Sequence, residues 1–354
     1  MSQLDETFSG TKPVADALKF DQSALERWMA EHVEGFKGPL TVEQFKGGQS
    51  NPTYKLSTPG AQYVLRRKPP GKLLPSAHAV DREYRVMKAL GEQGFPAPHM
   101  FGLCEDDSVI GTAFYIMDFV AGRIFWDPYL PDLSPDQRGA IYDASNATLA
   151  QLHSIDHEAA GLGDYGKPGN YFERSIGRWS KQYKAAETET VAAMDKLIEW
   201  LPEHAPAQER TSVVHGDYRL DNMIFHPTEP RVIAVLDWEL STLGDPLADF
   251  TYQLMGWVMP PEIRNGLAGV DIASMGIPTV EEYTEAYCRR TNRDSIPELD
   301  FYFAYNIFRL TSIIQGVYAR SLQGNASNER AKEMGAAVQP MAEAAWSFAV
   351  KAGA

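Results

Sequence analysis

The feature that most constrains this chain is a series of short apolar runs, each bordered by polar residues able to carry chemistry. Ser212-Val213-Val214 leads straight into His215-Gly216-Asp217, and Met223-Ile224-Phe225 begins directly after Asn222. Val232 to Leu236 then ends on Asp237. Each run is too short for a helix and suits a buried strand, so the unit reads as strand, loop, strand, turn, strand. Strand ends hold side chains rigidly, so two acids and one amide are expected around a shared point. Such a unit must pack against something. A chain of 354 residues, 44% hydrophobic and 23% charged, has ample core-forming material.

Upstream, the pattern predicts small β-rich structure. Residues 1–20, small and polar, read as a flexible arm. Ser23 to His32 predicts an amphipathic helix with Leu25, Trp28 and Met29 on one face. Val42 to Lys46 and Tyr54 to Ser57 flank Gly47-Gly48-Gln49-Ser50-Asn51 as a hairpin, and Gln62 to Arg67 is a third strand ended by Pro69, Pro70 and Gly71. His78 to Leu90 predicts a helix, and Phe114 to Val120 a buried strand. After Gly122 the pattern turns helical: Pro135 to Ile155, Thr190 to Leu201, and most of the chain from Thr279 onward. The expected fold class is α+β and bilobal. A small antiparallel lobe with one main helix spans 21–120, and a larger, mostly helical lobe spans 121–354.

The pattern at the strand tips points to phosphoryl transfer. That reaction needs a carboxylate to orient the attacking hydroxyl and accept its proton. It also needs hard oxygen ligands for Mg²⁺, which keeps several of its waters. Asp217 is the expected base, with Asn222 and Asp237 the expected metal ligands. The spacing H-x-D-x-x-x-x-N is that of the protein-kinase catalytic loop, with Gly216 where those enzymes usually carry Arg.

The stretches VVHGDYRLDNMIF and VIAVLDWELSTLGDPLADF resemble the aminoglycoside phosphotransferase family, which also contains choline and homoserine kinases. The resemblance runs from about Val42 to the final helices. It is nearest to the branch found fused to acyl-CoA dehydrogenases and as stand-alone bacterial proteins. It implies a protein-kinase-like fold, ATP and Mg²⁺ as cofactors, and a small-molecule hydroxyl as acceptor.

On that frame the remaining site residues follow. Gly47, Gly48, Ser50 and Asn51 sit where kinases place the loop that covers phosphates. Kinases use a third-strand Lys to reach the nucleotide phosphates, and Arg66 stands there here. Strand alternation puts Arg67 on the opposite face. Glu83 is the expected partner of Arg66. Met117, Phe119 and Val120 are expected to meet the adenine through backbone groups. His215 and Arg219 are expected to support the catalytic loop, and Asp245 and Asp249 to cap a helix and brace His215 or Arg219. His153 reads first as a satisfied core histidine, although the resemblance suggests that it supports the same loop.

Bulk properties bound the alternatives. A formal charge of −14 argues against binding a phosphate backbone, and no apolar stretch is long enough to span a bilayer. Two cysteines and no leader pattern point to a cytoplasmic protein. The acceptor is less legible. Arg123, Arg174, Arg178 and Lys181 are candidates to meet the phosphates of a hydroxyacyl-CoA, and Phe125-Trp126-Asp127-Pro128-Tyr129 to line an apolar pocket. The competing readings are an aminoglycoside kinase, a nucleotide-binding protein without transfer activity, and a metal-dependent hydrolase.

Overall fold

The structure is a computed structural model that describes residues 9–46, 51–71, 78–263, 265–322 and 335–354. Gly47, Gly48 and Ser50 lie outside the described residues.

The first lobe is built on strands β1 (Thr11–Lys12), β2 (Thr41–Phe45), β3 (Thr53–Ser57), β4 (Gln62–Arg67), β5 (Met100–Cys104) and β6 (Phe114–Asp118). They form one six-stranded sheet in the order β1-β2-β3-β4-β6-β5, with every pairing antiparallel. Strand alternation sorts the two faces. Leu56, Tyr63, Leu65 and Ile116 pack with Leu25, Trp28 and Met29 of helix α1 (Gln22–His32) in one core. Val64, Tyr115 and Met117 face the other way, toward helix α2 (Val80–Glu92), and join the main core of the molecule. Each of these apolar side chains contributes on the order of 2 kcal/mol when fully removed from water. Helix α2 begins at Val80 rather than His78, because His78 adopts a left-handed φ of 60°.

The segment read as an arm is tied to this sheet from residue 11 onward. Thr11 pairs with Phe45, and the Leu18 carbonyl accepts from the Tyr54 hydroxyl at 3.0 Å and from Arg67 Nη2 at 3.1 Å. Residues 1–8 lie outside the described residues.

After a short helix α3 (Asp107–Ile110) and β6, the chain enters the helical lobe. Its helices are α4 (Pro135–Ser154), α5 (Tyr171–Ala186), α6 (Ala192–His204), α7 (Pro246–Val258), α8 (Val280–Thr291), α9 (Leu299–Leu322) and α10 (Val338–Lys351). Local sequence explains several starts. Ser134 with Gln137 and Thr279 with Glu282 form capping boxes at α4 and α8, while Asp245 caps α7 ahead of Pro246. Helix α9 is buried along most of its length and packs on α5, α7 and α10. Among the described residues, no helix is long and apolar enough to cross a membrane.

Two small ladders lie between the lobes: β7 (Ser212–Val214) with β10 (Thr242–Gly244), and β8 (Met223–Phe225) with β9 (Val232–Val235). The connector from β6 crosses onto the second ladder at Gly122, where a Cβ would stand 2.3 Å from the Phe225 carbonyl oxygen. Only glycine fits so close an approach. Arg123 then exchanges two backbone hydrogen bonds with Phe225, each 2.8 Å long.

Candidate active site

The β8–β9 hairpin brings the chemistry together. Met223 faces Val235, and the Leu236 N–H donates to the Asn222 carbonyl at 2.8 Å, so Asn222 and Asp237 emerge at the same end. Asp237 holds a left-handed φ of 65°, a conformation that Asp tolerates better than most residues and that turns the chain sharply after β9. Trp238 behind it is fully buried, 4.6 Å from the His215 ring and 5.8 Å from Phe95.

The loop carrying Asp217 is held by its backbone. The buried Asp249 carboxylate on α7 accepts the His215 N–H at 2.6 Å and the Gly216 N–H at 2.8 Å. Burial alone would push this carboxyl up. Hydrogen bonds from His153 and the His215 backbone outweigh it and hold the group below its ordinary value. His153 Nε2 lies 3.3 Å from Asp249 and Nδ1 2.7 Å from the Tyr287 hydroxyl, so this histidine is both a satisfied core residue and a brace for the loop. Asp217 N–H points at His215 Nδ1 (3.2 Å), which makes Nδ1 the acceptor and Nε2–H the donor to the Leu236 carbonyl at 2.8 Å. Gly216 has φ +83°, and a Cβ there would lie 2.8 Å from the Leu240 carbonyl oxygen. That explains why no Arg stands at this position.

The Asp217 carboxylate is held from two sides. Oδ1 accepts the Tyr252 hydroxyl at 2.7 Å and lies 3.2 Å from Arg219 Nε; Oδ2 accepts Asn222 Nδ2 at 3.2 Å. The same Nδ2 donates to the Asp217 carbonyl at 2.8 Å. Both partners of that amide nitrogen are acceptors, so the Asn222 carbonyl oxygen is turned away from Asp217. Its orientation and the Asp237 carboxylate suit a hard divalent cation completed by phosphate and water oxygens. Arg219 also binds Asp221 at 2.7 Å; burial disfavours its charge, but the two carboxylates outweigh that and raise it further.

Across the cleft, strand alternation turns Arg66 and Arg67 to opposite faces of the sheet. Arg66 reaches Glu83 Oε2 with Nε at 3.0 Å and Asp237 Oδ1 with Nη2 at 2.7 Å, so one guanidinium spans both lobes. Burial works against its charge, but Glu83 and Asp237 together raise it. Burial pushes the Glu83 carboxyl up to about 7, opposed by Arg66. Arg67 lies on the α1 face, bonded to the Ile110 carbonyl and beside the Phe20 ring. Asn51, fully buried, donates to Glu83 at 2.9 Å and accepts from His78 Nδ1 at 2.8 Å. Sequence reading missed His78 by placing it inside the helix; its left-handed turn is not a periodic signal.

The connector behaves less uniformly. Met117 pairs with Val64 on one side and Met100 on the other, so its backbone groups face neighbouring strands. Phe119 and Val120 follow the end of β6 in the connector. Phe119 stacks on Phe45 at 6.4 Å beneath Lys55 Nζ.

Asp245 is not placed against His215 or Arg219; its carboxylate caps α7 through the Leu247 N–H at 2.8 Å. Burial pushes its carboxyl up to about 6 from an ordinary 3.8. A carboxyl raised by folding binds its proton more tightly in the folded state. Its stabilisation is therefore complete below the ordinary value and lost as pH rises through the folded one. Asp245→Asn keeps the cap. Its melting temperature relative to the unsubstituted protein is expected to be higher by about 2–4 °C more at pH 7.5 than at pH 4.5. A difference that is flat with pH would contradict the assignment.

A cavity of about 130 Å³ in the helical lobe is lined by Phe125, Trp126, Tyr142, Trp257 and Leu267; Asp217 does not line it but touches two residues that do, Arg219 and Tyr252. Arg219, Asp221 and Tyr252 are among its polar walls. Arg123, Arg174, Arg178 and Lys181 do not line it. Arg123 is spent on the His226 and Glu229 carbonyls, and Arg174 on those of Lys167 and Gly169.

A β-rich lobe, a helical lobe and this constellation between them define a small-molecule phosphotransferase of the protein-kinase-like class. The chain belongs to the phosphotransferase enzyme family (APH), whose model matches residues 41–299. It is 49% identical over 97% of its length to mouse acyl-CoA dehydrogenase family member 10, but spans only 32% of that protein. Among solved structures, a Ralstonia eutropha protein assigned to the aminoglycoside phosphotransferases is 55% identical with a TM-score of 0.86. That match covers 94% of this chain and 99% of the other. A thermostable mutant of aminoglycoside phosphotransferase APH(4)-Ia, solved with ADP and hygromycin B, shares the fold at 18% identity. Its TM-score is 0.60, with 94% and 99% of the two chains covered.

Proposed function

We propose that this protein is an ATP- and Mg²⁺-dependent kinase that phosphorylates a hydroxyl of a largely apolar small molecule, of the hydroxyacyl class. In this reading Asp217 orients the hydroxyl and takes its proton, Asn222 and Asp237 hold Mg²⁺, and Arg66, kept in place by Glu83, steadies the nucleotide phosphates. When bound, Mg²⁺ offsets the charge of the phosphates. The observation that supports the proposal is a mainly apolar cavity whose polar wall includes Arg219 and Tyr252, two side chains in contact with Asp217.

The lining speaks against a polycationic acceptor. Among the described lining residues the only acid is Asp221, and Arg219 already pairs with it at 2.7 Å. An aminoglycoside needs several acids at its site. Relatives named as acyl-CoA dehydrogenase family members favour an acyl-type acceptor. Among the described lining residues the only basic side chain is Arg219, so these residues offer little to bind the phosphates of a CoA moiety.

Two measurements test this. Millimolar MgATP is expected to raise the melting temperature, and absence of that shift would sink the nucleotide reading. ADP release is then scored over hydroxyacyl-CoAs, hydroxy acids and aminoglycosides. Turnover is expected with the acyl compounds; efficient turnover of kanamycin-type sugars instead would overturn the acceptor class.

A further inference from the structure

We propose that Tyr252, a residue of the cavity wall, is a positioning residue for phosphoryl transfer that fixes the plane of the Asp217 carboxylate; this rests on the kinase reading above. Its hydroxyl donates to Asp217 Oδ1 at 2.7 Å from an almost fully buried side chain. Arg219 approaches Oδ1 as an ion-pair partner at 3.2 Å without a hydrogen bond from Nε, and Asn222 donates to Oδ2. With Oδ1 held by Tyr252 and Oδ2 by Asn222, the group is pinned through both oxygens and cannot rotate freely.

Tyr252 is itself held. It stands one turn beyond Asp249 on α7, the residue that grips the loop backbone. Its ring lies 5.0 Å from the Arg309 guanidinium. Arg309, buried on α9, donates to the Gly216 carbonyl at 2.5 Å and stacks on Trp179 from its other side. Helices α7 and α9 thus fix the tyrosine ring and the loop as one body. Tyr252 also lines the cavity, so the side chain that orients Asp217 is one that a seated acceptor would touch. No bond to Tyr252 forms or breaks, and the phenol keeps its proton.

Tyr252→Phe removes one oxygen and leaves the ring, the cavity wall and the Arg309 contact. The full chain is assayed with MgATP and whichever acceptor it turns over fastest, water included. The variant is expected to melt within about 2 °C of the unsubstituted protein and bind MgATP within about twofold. Its kcat should fall about 10- to 100-fold while the KM of the acceptor changes little, because orientation acts in the transition state. Unchanged kcat, or a loss confined to acceptor KM, overturns the proposal. A crystal structure with Mg²⁺ and a non-hydrolysable ATP analogue gives an independent check, since a Tyr252 hydroxyl bonded away from Asp217 there also overturns it. An unsubstituted protein that neither binds MgATP nor releases ADP with any acceptor removes the kinase reading, and this proposal with it. Binding and turnover that survive in the variant at full rate remove this proposal alone.

Discussion

Asp217→Asn is expected to lower phosphoryl transfer by about 10³-fold while MgATP binding stays within a few-fold, as measured by ADP release and by calorimetric titration. The amide is nearly isosteric and its oxygen can still accept the Tyr252 hydroxyl that now reaches Oδ1. What is lost is the negative charge and the capacity to take a proton from the acceptor. Asp217 contacts Arg219, Asn222 and Tyr252, whereas Arg66 pairs with Glu83 and Asp237, so the cation proposed to steady the phosphates keeps its partners. The predicted signature is a kcat effect without a binding effect. Equal losses in both would show that Asp217 supports the fold of the cleft rather than the transfer step.

Asp237→Ala should give the opposite signature. Removing this carboxylate takes away one proposed Mg²⁺ ligand and also the partner that holds Arg66 Nη2 at 2.7 Å. MgATP affinity is expected to fall about 100-fold, while the residual affinity for ATP without metal stays close to its original value; each tenfold step corresponds to about 1.4 kcal/mol. Titrations at several Mg²⁺ concentrations separate the two. If MgATP bound the variant as tightly as the original, Asp237 would not be a metal ligand. Arg66 keeps Glu83 in the variant, so a collapse of the small lobe is not expected.

How far the sequence carried this picture depended on the range of each signal. Period-two alternation in Gln62 to Arg67 separated Arg66 from Arg67 correctly, because face assignment needs only the strand's own residues. Helix α4 was legible from its stripe, and its capping box, Ser134 with Gln137, also lies in local sequence. The acid–amide spacing of the catalytic loop was visible for the same reason.

Other features were set by partners far along the chain. Strand β1 is two residues long and exists through its pairing with β2, so no periodicity could announce it. Met117 has the pattern of a strand end yet lies between two neighbours, a fact of sheet order. Tyr252 lies 35 positions from Asp217, and Arg309 93 positions from Gly216. Each reads in sequence as one more residue of an apolar helix. The basic residues nominated for a CoA do not line the cavity, and Arg123 and Arg174 bond backbone carbonyls, which charge composition cannot distinguish from a ligand site.

The double duty of helix α7 bears on how such a scaffold changes its substrate over time. Tyr252, Gln253, Met255 and Trp257 on this helix shape the cavity, while Asp249 and Tyr252 hold the reacting loop. A lineage that reshapes α7 to accept a new molecule disturbs the reaction centre in the same stroke. Drift toward new acceptors should therefore be cheaper through Phe125, Trp126 and Leu267, which border the cavity from other parts of the chain.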